Sequence, residues 1–244
     1  MRKYKFTEGT KGILRDGRKI TLHRICAERD FGDVKKGEQG GWIETEDNLS
    51  HSGDAWVFGN ARVSGNARVS GDARVSGDAQ VSGDAQVSGN AQVSGNAQVY
   101  GNAWVYGDAQ VSGDAQVSGD AWVHGDARVS GDAQVYGDAQ VSGNAQVSGN
   151  ARVYDIRHVF TAGPIGGRDG FVTFFKDKGG GISVKCGCFS GNIGEFLEEV
   201  RKTHGDSVYA HEYRLAVETA KACIRLEEPD TEQGGDGNDK TGRA

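Results

Sequence analysis

Between Gly53 and Tyr154 the chain repeats one six-residue phrase, Gly-(Asp/Asn)-Ala-x-Val-x, without a gap. The first copy is Gly53-Asp54-Ala55-Trp56-Val57-Phe58 and the last is Gly149-Asn150-Ala151-Arg152-Val153-Tyr154, so 17 copies fill 102 residues. Ala and Val alternate with variable positions that are mostly Gln, Arg and Ser, which is the period of two of a strand with one buried face. Gly followed by Asp or Asn supplies a turn, because these residues tolerate positive φ best. A helix is excluded, since a glycine at every sixth position costs about 1 kcal/mol each and six fits neither helical period. A short, fixed period of this kind predicts a solenoid, and a hexapeptide period predicts a parallel β-helix.

The Asp/Asn choices change in blocks of three. Asp72, Asp78 and Asp84 are followed by Asn90, Asn96 and Asn102, and then by Asp108, Asp114 and Asp120. The switches fall every 18 residues, which supports a structural unit of 18, although duplication of an 18-residue segment explains them equally well. The phrase resembles the hexapeptide family of left-handed parallel β-helices, with Val57, Val63 and their successors at the aliphatic position and Ala55, Ala61 and their successors at the small one. The resemblance implies left-handedness and three hexapeptides per triangular coil. About six coils then form a prism roughly 27 Å long at ~4.8 Å per layer.

Outward residues 18 apart should lie above one another. One face carries Arg68, Gln86, Trp104, Trp122 and Gln140, flanked by Ser70, Ser88, Tyr106, His124 and Ser142. Trp104 is expected to stack on Trp122, and Tyr106 on His124. A second face carries Arg62, Gln80, Gln98, Gln116, Gln134 and Arg152 with Tyr100, Tyr136 and Tyr154 beside them. The third begins with Trp56 and Phe58 and continues through Arg74, Gln92, Gln110, Arg128 and Gln146.

Residues 1–40 read as an N-terminal β cap, with Asp16-Gly17 as a hairpin turn, because an open solenoid end leaves unpaired backbone. Residues 41–52 fit the repeat in phase, with Gly41 at the glycine position, Ile43 and Leu49 at the Ala position, and Thr45 and His51 pointing inward at the Val position. The repeat region is thus 41–154. Arg29-Asp-Phe-Gly-Asp-Val34 followed by Gly40-Gly-Trp-Ile-Glu-Thr-Glu-Asp-Asn-Leu-Ser50 resembles the opening of phage and prophage hexapeptide-repeat proteins. That resemblance implies a phage setting and supplies no catalytic residues.

Residues 155–228 read as a small α/β module of three strands (His158–Ala162, Phe171–Phe175 and Gly181–Phe189) and two helices. Asn192 is a candidate N-cap, Gly205 ends the first helix, and the second begins near Asp206 or Ser207. Gly163-Pro-Ile-Gly-Gly-Arg168, Cys186-Gly-Cys-Phe189 and Thr203-His-Gly205 resemble a C-terminal module attached to related phage proteins. Residues 229–244 have the polar, glycine-rich composition of a disordered tail.

The net charge of −6 divides unevenly: +2 over residues 1–52, −5 over the repeat and −3 over residues 155–244. Without a basic stripe, nucleic-acid binding is not expected. No segment reaches the ~20 apolar residues that cross a membrane, and no signal peptide is read at the N-terminus. The four cysteines, Cys26, Cys186, Cys188 and Cys223, are expected as free thiols in a cytoplasmic protein of the host bacterium.

Chemistry is sparse. Acyltransferases of the hexapeptide fold use a catalytic His and often a loop extruded from a coil, whereas this repeat has one histidine, His124, and no insertion. Cys186 and Cys188 on one face of a strand lack the second pair that a metal knuckle needs. No catalytic residue, metal or cofactor is assigned. Gly166, Gly167 and Arg168 form a candidate anion-binding loop, set against a plain turn between strands. The leading candidate is the aromatic group Trp104, Trp122, Tyr106 and His124, exposed anchors suited to self-association or to a foreign partner. These features predict a non-enzymatic protein that binds a partner; the phage resemblance implies an accessory protein acting on a host defence or regulatory protein, and the resemblance to the hexapeptide family implies a homo-oligomer with trimer favoured. The alternatives are a nucleotide or sugar-phosphate binder and, third, an acyltransferase using His124.

Overall fold

The computed structural model describes residues 2–15 and 17–226; the tail read over 229–244 lies outside them. Seventeen two-residue strands, from β4 (Trp56–Val57) to β20 (Arg152–Val153), form the solenoid. Each pairs in parallel with the strand 18 residues away, so the three columns read from the sequence are the three sheets of a prism. Every Ala and Val of the phrase is buried, and together they make one continuous core. The turns are fixed by glycine. At Gly89 φ is 68°, and a Cβ there would come within 2.9 Å of the Gly107 nitrogen one layer on, so both conformation and stacking demand the smallest residue.

The corners also explain the Asp/Asn blocks. The side-chain amides of Asn90, Asn96 and Asn102 donate to the carboxylates of Asp108, Asp114 and Asp120, each at 2.9 Å. An Asn block under an Asp block joins successive layers, where two Asp layers repel.

The N-terminal strands β1 (Tyr4–Arg15) and β2 (Arg18–Ala27) form an antiparallel hairpin. β2 pairs antiparallel with β3 (Gln39–Ile43), which runs parallel to the strand at Arg62–Val63. The cap thus continues one prism face. Residues 41–52 belong to the prism, but two residues out of the expected phase. Ile43 lies under Val63 and Leu49 under Val69, a separation of 20. They therefore occupy the Val position, and the corner between Leu49 and Val57 is two residues longer than a standard one. Gly41 is no repeat turn: a Cβ on it would lie 2.6 Å from the Val57 side chain, so its role is close approach of the backbone to the core. His51 is half-buried in the cap, stacked on Tyr4 at 4.4 Å, with Nδ1 accepting from the Lys3 N–H. Trp56 is not on an open face either, because Tyr4 and Phe31 cover it completely.

A parallel solenoid is polar. Each coil donates its N–H groups to the carbonyls of the next, as in Gln98 N–H to Ala115 O at 2.9 Å. The first coil is left with carbonyls and the last with N–H groups, and burying either unpaired costs stability. The chain answers each with the opposite chemistry. At the carbonyl end the buried Lys3 ammonium donates to Ala55 O at 2.8 Å and Gly53 O at 3.4 Å. The Asn48 amide there donates to Gly65 O and Ala67 O. At the N–H end, Thr173 Oγ1 accepts from Gln146 N and His158 Nδ1 accepts from Tyr154 N.

The C-terminal module has four antiparallel strands, not three: β21 (Val159–Ile165), β22 (Gly170–Lys176), β23 (Ile182–Cys186) and β24 (Phe189–Asn192). The stretch read as one strand is a hairpin. Cys186 pairs with Phe189, and Gly187 takes φ 54° in the turn, so Cys186 and Cys188 do not share a strand face. Two helices follow, α1 (Ile193–His204) and α2 (Val208–Cys223). Asn192 caps α1 in a reciprocal box with Glu195, Gly205 ends it at φ 57°, and Ser207 caps α2. The alternation of β22 joins the module to the prism: Val172 and Phe174 face the helices, while Phe175 joins the solenoid core.

Candidate functional site

The aromatic ladder stands on the five-stranded prism sheet, where Trp104 pairs with Trp122. Parallel in-register pairing puts identical side chains one layer apart, so the indoles stack at 5.5 Å between ring centres and 9° between planes. Tyr106 stacks on His124 at 4.9 Å and 9°. The two tryptophans remain 41% and 39% exposed, in a face whose other rungs are Arg68, Gln86 and Gln140. Strand geometry fixes all four rings before any partner arrives, which lowers the ordering cost of association. Sheet pairing thus brings together the four residues that the sequence singled out.

Gly166, Gly167 and Arg168 lie in the turn between β21 and β22. This turn packs against α2: the Gly166 N–H donates to Glu212 Oε2 at 2.7 Å, and a Cβ on Gly166 would strike the Tyr213 hydroxyl at 2.2 Å. The amide that would have centred an anion nest already holds a carboxylate. The loop contributes instead to a groove of about 950 Å³ between the module and the third prism face. Arg168, Gly167, Cys186, His204, Tyr209 and Tyr213 line one side, and Arg128, Gln146, Asn144 and Asp126 the other. Burial raises the Cys186 thiol above its ordinary pKa, with a hydrogen bond to Tyr213 acting in the opposite sense. Burial, and then the Cys186 neighbour, raises the Tyr213 phenol. Both groups stay protonated at neutral pH, so neither is an activated nucleophile. The sequence carries no sign of this groove, because Arg128 and Arg168 belong to different units and meet only when the module docks.

Residues 48–154 match the family model described as "Bactofilin: Polymer-forming cytoskeletal". This repeat is similar to the bactofilins. A second similarity is to the "Uncharacterized acetyltransferase YdcK" of Escherichia coli (strain K12), 39% identical over 62 residues. That stretch is 24% of this chain and spans about a fifth (19%) of the relative's length. Both similarities agree with the hexapeptide-type β-helix seen in the fold. No helix among the described residues is long and apolar enough to cross a membrane.

Proposed function

We propose that this chain is a non-enzymatic interaction protein whose rigid prism associates side by side with a second copy through the Trp104–Trp122 and Tyr106–His124 ladder. The observation that carries this reading is the flat, exposed, preorganised aromatic surface in a repeat otherwise filled by Gln, Arg and Ser. Aromatic side chains bury about 150–250 Å² each and dominate interface energetics. Lateral contact is favoured over end-on contact because each prism end is covered in part by the chain's own groups, Lys3 and Asn48 at one end and Thr173 and His158 at the other. The similarity to a polymer-forming family supports a second copy as the occupant. An acyltransferase role is not favoured, because His124 is held flat against Tyr106 as a rung of the ladder.

Sedimentation velocity on the full chain tests the proposal. The parent is expected to sediment as a concentration-dependent oligomer, and Trp104→Ser/Trp122→Ser as a monomer with an unchanged circular dichroism spectrum. A parent that stays monomeric at high micromolar concentration overturns self-association. A host protein retained by the parent and released by the double variant would instead assign the ladder to a foreign partner, in keeping with the phage resemblance of the opening residues.

A further inference from the structure

We propose that the groove between the C-terminal module and the third prism face binds a nucleoside monophosphate or a ligand of that chemistry, with the phosphate between Arg128 and Arg168 and the ring against Tyr209. The argument is independent of the ladder. The groove encloses about 950 Å³, the upper part of the range that holds small ligands. Its walls come from two units, which is where ligand sites concentrate.

Arg128 projects from the prism and Arg168 from the β21–β22 turn, and both side chains line the same space. Neither makes an ion pair with another described residue. Two arginines on opposite walls of one groove suit a phosphate, whose oxygens accept paired N–H donors. The aromatic wall is equally specific. Tyr209 is 41% exposed, and Gly167 lies flat beside its ring, where an added Cβ would come within 3.4 Å. His204 sits 6.1 Å from Tyr209 and 5.7 Å from Tyr213, extending that surface. An exposed aromatic face of this kind stacks a base without regard to its sequence identity.

The acidic residues set the class. Asp126 and Glu199 also line the groove and balance the two arginines. They accept hydrogen bonds from ribose hydroxyls or ring N–H groups, and they repel a ligand with several negative charges. One phosphate is therefore favoured over three.

Isothermal titration of the full chain with AMP, GMP, CMP and UMP tests this, with adenosine, inorganic phosphate and ATP as comparison probes. At least one monophosphate is expected to bind, more tightly than adenosine, phosphate or ATP. Arg128→Ala and Arg168→Ala should each weaken it about tenfold or more, the factor that matches a lost charge-assisted hydrogen bond. Tyr209→Ser should weaken the monophosphate and leave phosphate unchanged. Arg128 and Arg168 are exposed, so circular dichroism of these variants is expected to match the parent. Absence of binding by any monophosphate overturns the proposal. So does equal binding of inorganic phosphate, tighter binding of ATP, or full affinity in both arginine variants.

Discussion

Lys3 offers the most direct test of the end-capping account. Its side chain is fully buried, and burial, with Arg29 nearby, lowers its pKa from the usual 10.5 to about 8. Between those two values the unfolded chain holds a proton that the folded chain has released, so stability rises with pH across this window. At 1.36 kcal/mol per unit the full effect is at most about 3 kcal/mol, of which about 2–3 falls between pH 8 and 10. Replacing Lys3 by Met removes this term and leaves the carbonyls of Ala55 and Gly53 without their donor, at a cost of about 1–3 kcal/mol. Below pH 8 the two effects oppose each other, and Lys3→Met is expected to be close to the parent or slightly more stable. At pH 10 the amine is neutral, still donates, and carries little desolvation penalty, so the variant becomes the less stable protein. Urea unfolding followed by tryptophan fluorescence at pH 7 and pH 10 reads the difference between the two proteins. Packing of the Met side chain alters the offset but not the change with pH. The window should close near pH 10, because burial also raises the Tyr4 hydroxyl, and a phenol that ionises first in the unfolded chain lowers stability above that point. A parent–variant difference that stays flat from pH 7 to pH 10 refutes the reasoning.

Two further predictions concern the repeat. Gly107→Ala should be more destabilising than Gly143→Ala: both sites have positive φ, costing about 1–2 kcal/mol for Ala, but only at Gly107 does the new Cβ meet backbone, 3.0 Å from the Gly125 nitrogen, while at Gly143 it meets nothing within 4 Å. Equal urea midpoints for the two variants would remove stacking from the explanation. Asp132→Asn should stabilise the prism by roughly 0.2–1 kcal/mol, because Asp132 lies one layer beyond Asp114 with no amide between them, and the gain should shrink in molar salt; thermal unfolding at low and high salt measures it.

How far the sequence could be read depends on the range of the constraint. The prism was legible because its rule is local and repeated: each Ala-x-Val must bury the same two side chains, and each Gly must turn. Once the unit of 18 is accepted, the meeting of Trp104 with Trp122 follows by counting. The phase of residues 41–52 was not legible for a related reason. Gly41 falls 12 residues before Gly53 and so mimics two repeats, yet it is there to let β3 approach Val57. The extra length sits in the corner after Leu49, where no residue advertises it. Gly187 is similar: one glycine between two cysteines reads as a weak point in a strand, and only the pairing of Cys186 with Phe189 makes it a turn.

The same distinction separates the two candidate sites. The ladder is a one-dimensional feature, written by the repeat and displayed wherever the repeat folds. The groove is three-dimensional. It exists because Thr173 and Phe175 on one side of β22 close the solenoid end while Val172 and Phe174 on the other carry the helices. That docking swings Arg168 and Tyr209 over the third prism face, opposite Arg128. Closing the open N–H end of the solenoid and forming the groove are therefore a single structural event. A variant that loosens β22 from the prism would lose end-capping and groove together, while leaving the Trp104–Trp122 ladder, on a different prism face, in place.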